Sequence, residues 1–129
     1  MPGDLPKLPR RGQAPAVDRM TNAELARMIE AEHPYRGRAL FELSDRIPHD
    51  DDAATKVAML SRLTSLRLAR VFDPVSLAWT AIIALLAGGT DHARTSAYEA
   101  FGALDREERA TMLAYLEVGS IEEAQPKLE

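Results

Sequence analysis

The chain has 129 residues, of which 46% are hydrophobic and 28% charged, with a formal net charge of −4. That length suits one domain with a real core and is too short for two ordinary ones. The absence of cysteine excludes disulfide scaffolds, thiolate metal sites and thiol nucleophiles. With aromatics at 5%, the core must come from Leu, Ala, Ile, Val and Met, a mixture that favours helices.

Residues 1–19 hold four of the eight prolines (Pro2, Pro6, Pro9 and Pro15) and four bases against two acids. Prolines at that density break any helix, so this stretch is expected to be a disordered arm ahead of a single helical domain over 20–129. Pro6-x-x-Pro9-x-Arg11 matches a polyproline-ligand pattern, although such short patterns are common.

From Thr21 the helix starts are well marked. Thr21-x-x-Glu24, Asp105-x-x-Glu108 and Ser120-x-x-Glu123 have the form in which a side chain satisfies the free N–H groups of a first turn. Asp73-Pro74 reads as an N-cap followed by proline at the first helical position. Gly88-Gly89 and Gly119 sit where helix ends need left-handed backbone. These signals and the apolar stripes predict helices near 22–32, 35–47, 51–72, 74–87, 91–103 and 105–118, with a last turn near 121–125 and no strand.

Two of these segments carry further information. On one unbroken helix over 51–72, Lys56, Arg67 and Arg70 would fall inside the apolar face, so either the helix breaks near Ser61 to Ser65 or the bases find carboxylate partners. The break is preferred. Residues 74–87 are apolar nearly all round and predict the central helix, with Trp79 as an anchor whose indole N–H needs a partner. The run Leu77 to Ala87 is eleven residues, well short of the roughly 20 that span a bilayer. With no apolar leader segment either, a soluble cytoplasmic protein without membrane contact is expected.

Few residues suggest chemistry. His49-Asp50-Asp51-Asp52 could hold a hard cation, but acids at a helix start are already favoured by its dipole, and consecutive side chains diverge. Glu30, Glu32 and His33 read as an exposed helix end. Phosphate loops, dinucleotide fingerprints and nucleophile elbows are lacking, so neither catalysis nor a cofactor or metal is expected. Lys56, Arg62, Arg67 and Arg70 form a basic group with no acid between Ala53 and Phe72, and are the candidate partner-binding residues. Residues 105–129, by contrast, carry three bases against seven acids, which weighs against a general nucleic-acid binder.

Two segments look alike. Asp91-x-x-Arg94-x-x-Ala97-x-x-Ala100-Phe101-Gly102-x-Leu104 resembles the second helix of a HEAT-like repeat, and His33 to Ile47 resembles it less completely through Pro34, Arg36, Ala39 and Leu43. The resemblance implies an all-α fold of six or seven short helices stacked as antiparallel pairs; an irregular helical bundle is the alternative. In either fold Arg36 and Arg94 are expected to be structural. Helix-pair stacks commonly grip other proteins, so the expected function is a non-enzymatic protein-binding module or adaptor, an immunity-type inhibitor being one form. The contact surface would be the basic side of 56–70 or the acidic helix after Asp105. The alternative is a small nucleic-acid-binding regulator using Arg62, Arg67 and Arg70.

Overall fold

A computed structural model describes residues 15–128, and the polyproline-ligand pattern lies outside them. The protein is all-α: α1 (Asn22–Glu30), α2 (Arg36–Arg46), α3 (Asp51–Leu60), α4 (Thr64–Leu68), α5 (Leu77–Leu86), α6 (Asp91–Gly102), α7 (Arg106–Leu116) and α8 (Ile121–Leu128). The preferred break in the 51–72 stretch is present, because α3 stops at Leu60 and α4 restarts at Thr64.

Capping residues set most of the helix starts. Thr21 and Glu24 form the full reciprocal capping box of α1. The Asp50 carboxylate accepts from the Asp52 and Ala53 N–H groups at the start of α3, which makes the acidic run a cap in part. Asp105 accepts from the Glu108 N–H at the start of α7. After α5 the expected left-handed glycine is present, Gly89 with φ 79°, but two other helix ends differ from expectation. α1 and α7 both close with a non-glycine residue in left-handed backbone, Glu32 (φ 56°) and Glu117 (φ 59°). In each case two crossed bonds cap the last carbonyls: His33 and Glu32 N–H to Met28 and Ile29 C=O, and Val118 and Glu117 N–H to Leu113 and Ala114 C=O. Gly119, read as the left-handed residue, is therefore not the one that turns the chain.

The segment between α4 and α5 corrects two expectations. A small antiparallel hairpin replaces the expected absence of strands, pairing β1 (Arg70–Phe72) with β2 (Val75–Ser76). Asp73-Pro74 is the cis turn of that hairpin rather than a helix start. The cap of α5 is Ser76, whose hydroxyl accepts from the Trp79 N–H, and the helix begins three residues later than read.

The core gathers around α5, which packs against α2, α3, α4, α6 and α8. Ala78, Ala81, Ile82, Leu85 and Leu86 are fully buried there, as the all-round apolar sequence of this helix requires. Leu25, Met28 and Ile29 of α1, Leu40 and Leu43 of α2, and Val57 of α3 complete the same cluster. Residues 17–19, read as the end of the arm, form a 3-10 turn; Val17 packs on the core and its carbonyl accepts from Arg46 at 3.2 Å. The packed chain thus begins before Met20. Arg46 also binds Glu42 and the Asn22 side chain, and the Asn22 amide reaches both Asp50 and Asp52 at 2.9 Å. This polar strip ties α1, α2 and α3 together at their ends.

Arg36 and Arg94 are placed differently. Arg36, the first residue of α2, reaches the His33 carbonyl at 3.4 Å, whereas Arg94, the fourth residue of α6, pairs with the exposed Asp91 carboxylate at 2.9 Å. His33 is buried rather than exposed, and its Nδ1 accepts from the Tyr35 N–H. Among the described residues no helix is long and apolar enough to cross a membrane.

Candidate functional site

The four basic candidates do not share one surface. Lys56 is held by Asp52 one turn earlier on α3, at 3.0 Å, and lines a groove of about 370 Å³ between α1 and α3 with Ala23, Ala26, Met59, Leu60 and Leu63. Arg62 lies exposed in the turn after α3 and shares a small pocket of about 90 Å³ with Arg67, Ala103 and Leu104, so Lys56 is the candidate set apart from the other three. Arg67 and Arg70 line a further cleft, of about 420 Å³.

The cleft that holds Arg67 and Arg70 is built from α4, the hairpin and the start of α7. Arg67 sits in the last turn of α4, and the Arg67 guanidinium meets the Glu108 carboxylate at 2.8 Å and Asp105 at 3.6 Å. The second oxygen of Glu108 accepts the Trp79 indole N–H at 2.9 Å. Glu108 therefore completes both needs visible in the sequence, a carboxylate for a base on the apolar side of its helix and an acceptor for a buried indole. The Glu108 hydrogen bond, more than the nearby charges, pushes the Arg67 pKa further above its ordinary value. Because Glu108 turns into the cleft, the expected box at 105–108 is only half formed: Asp105 caps the Glu108 N–H while the Glu108 side chain serves Arg67 and Trp79.

The rim is less satisfied. Arg70 reaches the backbone carbonyls of Arg67 and Pro74, both at the long distance of 3.5 Å. Asp105 and Glu107 stand exposed across from it. Next to this rim, Leu68 is 73% exposed, Val71 45% and Phe72 56%, so three large apolar side chains within five residues face water. Leu68 lines the cleft itself, and Val71 and Phe72 belong to β1 of the adjoining hairpin. Met59, Phe41 and Tyr115 are also exposed, each on a different helix.

The two surfaces that the sequence offered as alternatives are thus one junction. The basic segment supplies Arg67 and Arg70, the acidic helix supplies Asp105, Glu107 and Glu108, and their inner members neutralise each other. Sequence reasoning missed Leu68, Val71 and Phe72 as surface residues, because on a continuous helix Leu68 and Val71 fall on the apolar arc. The signal that could have found them was the cation pattern that forces the helix to break, since whatever follows the break no longer obeys the arc.

The Asp50 and Asp52 carboxyls form the other polar cluster. The Asn22 amide, above all, lowers the pKa of each below the ordinary carboxylate value; backbone N–H groups help at Asp50 and Lys56 helps at Asp52. Their lone pairs are used in joining α1 to α3, and among the described residues no group of three or more acids and histidines is arranged to hold a metal ion. No protein-family model, curated protein or solved structure matches the chain.

Proposed function

We propose that this chain is a non-enzymatic protein-binding module, an adaptor or an immunity-type inhibitor of a partner protein, and that its contact surface is the face formed by α4, the hairpin and the start of α7. The observation that carries this reading is the exposed group Leu68, Val71 and Phe72 beside a cleft whose inner charges are already paired. A surface of this kind offers apolar area for affinity and a charged rim for orientation. Glu108 is committed to Arg67 and Trp79, so the most enclosed carboxylate of the cleft serves the frame rather than a substrate. The repeat-like sequences at 33–47 and 91–104 suit a helical-repeat origin for such a module. A cytoplasmic setting fits the cysteine-free composition.

Nucleic acid fits this face less well. Phosphate binding requires several free bases along one strip, whereas Arg67 is paired and Lys56 belongs to another groove. The test is capture of a stoichiometric partner from nuclease-treated native lysate by the wild-type chain and by Leu68→Asp and Phe72→Asp. Loss of that partner in both variants, each still folded by circular dichroism, is the expected result. Nuclease-sensitive capture that depends on Arg62, Arg67 and Arg70 would favour the regulator instead.

A further inference from the structure

Arg67 is common to two hollows. It lines the cleft between α4 and α7 together with Arg70, and the small pocket at the end of α6 together with Arg62. Among the described residues Arg62 and Arg70 have no carboxylate partner, whereas Arg67 holds two. Both of those carboxylates meet the same nitrogen, Nη2, which leaves Nε and Nη1 of Arg67 without one. A guanidinium offers five N–H donors and holds a carboxylate best through two of them. The internal contact is accordingly single-pronged and open to exchange.

Glu108 fills a seat with two donors. One oxygen takes the Arg67 guanidinium at 2.8 Å and the other takes the Trp79 indole N–H at 2.9 Å. Both donors line the open cleft, and the Glu108 side chain is 19% exposed, so an acid arriving from solvent reaches the same place. The helix that carries Glu108 is lightly anchored. Met112 is its single buried residue, and α7 has no packed neighbour of the kind that α5 and α6 have. Glu108 also lies in the first turn of that helix, so releasing its side chain disturbs little apolar packing. With Asp105 and Glu107 beside it, this turn has the character of an acidic ligand already in place.

We propose that the group Arg62, Arg67 and Arg70 binds an acidic segment of a partner protein. One carboxylate of that segment replaces Glu108 between Arg67 and the Trp79 N–H, and the first turn of α7 is its built-in competitor. This rests on the reading of the surrounding face as a protein-contact surface, and it gives the partner its chemistry. Flanking acids of the segment meet Arg62 and Arg70, and its apolar residues lie on the exposed Leu68. A peptide fits better than a nucleic acid, whose backbone makes no use of Leu68 and whose continuous charge Asp105 and Glu107 repel. In the free chain Glu108 keeps the seat filled, so the indole N–H does not lack an acceptor.

The probe is a short fluorescent peptide of Asp, Glu and Leu, its binding to the full chain followed by anisotropy and by the emission of Trp79, the sole tryptophan. Glu108→Gln keeps an oxygen for the indole N–H but withdraws the competing charge, and should bind the peptide about tenfold more tightly than wild type. Glu107→Gln removes the same charge from the same cleft without touching Arg67, and should change the affinity less. Arg62→Glu and Arg70→Glu should each weaken binding about tenfold, as loss of one charge-assisted contact implies. An affinity of Glu108→Gln no higher than that of Glu107→Gln overturns the proposal. So does binding indifferent to both arginine changes, or no binding to folded Glu108→Gln at about 100 μM peptide. Tighter binding of a mixed-sequence oligonucleotide than of the peptide at equal salt, lost with the same arginine changes, also overturns it. If the peptide fails while partner capture still depends on Leu68 and Phe72, the protein-contact reading stands with a partner of other chemistry. Peptide binding as expected with capture indifferent to Leu68→Asp and Phe72→Asp supports the acidic-segment site and removes that reading.

Discussion

The centre and the rim of this molecule are held by different forces. Around α5, stability comes from apolar burial: Ile82, Leu85 and Leu86 are fully enclosed and touch side chains from several helices. At α7, Met112 is the single buried residue, and the helix start is attached through Glu108 to Arg67 and Trp79. Tyr115 adds a tilted ring contact with Trp79, centroids 6.0 Å apart. Apolar packing is indifferent to sequence detail so long as volume is kept, whereas a polar attachment depends on particular atoms. The candidate contact face is therefore built where the structure is least committed to its own core and most dependent on a few side chains.

The largest effect that separates the two regions is in the core. Leu85→Ala removes a fully buried side chain from the central helix and should cost about 2–5 kcal/mol of global stability, measured by urea denaturation. Glu108→Ala tests the other regime. It leaves Arg67 and the Trp79 N–H without their shared acceptor and should cost about 1–3 kcal/mol. Hydrogen exchange should rise in α7 well before α5, and the emission of Trp79, the sole tryptophan, should report the change. Uniform loss of protection over α5 and α7 would show that the two regions unfold as one.

The smallest effect concerns the strip that joins α1 to α3. Asn22 holds the pKa values of Asp50 and Asp52 below the ordinary carboxylate value, so the folded state binds protons less readily than the unfolded one. The stabilisation is present above about pH 4 and is lost as pH falls through the folded-state values. Asn22→Ala should be less stable than wild type at neutral pH, and the difference should shrink as the pH approaches 3. A difference that stays constant with pH would assign the effect of Asn22 to packing alone.

What could be read from the sequence follows the same division. The caps at Thr21, Asp50 and Asp105 are local, involving residues three positions apart, and were legible. The central helix was legible because no amphipathic alternative exists for Leu77 to Leu86. The break after Leu60 followed from cations that a continuous helix would have placed in its apolar face. The hairpin was not legible. Its strands of three and two residues are too short to show a period, and Asp73-Pro74 fits a helix start as well as a turn. The left-handed ends at Glu32 and Glu117 were hidden because glycine is the usual signal. At the candidate site, Arg67 and Trp79 each announced a missing partner, but Glu108, 41 residues from Arg67, looked already engaged in a capping box.

The central claim is that the α4–hairpin–α7 face is where this protein meets another. The most direct test is quantitative capture of a stoichiometric partner by wild type, Leu68→Asp, Phe72→Asp and, as a control on another exposed apolar residue, Phe41→Asp on α2. The account predicts that both changes on the hairpin face abolish capture while Phe41→Asp retains it. Capture that survives both, or that is lost only with Phe41→Asp, would place the contact elsewhere and contradict the account.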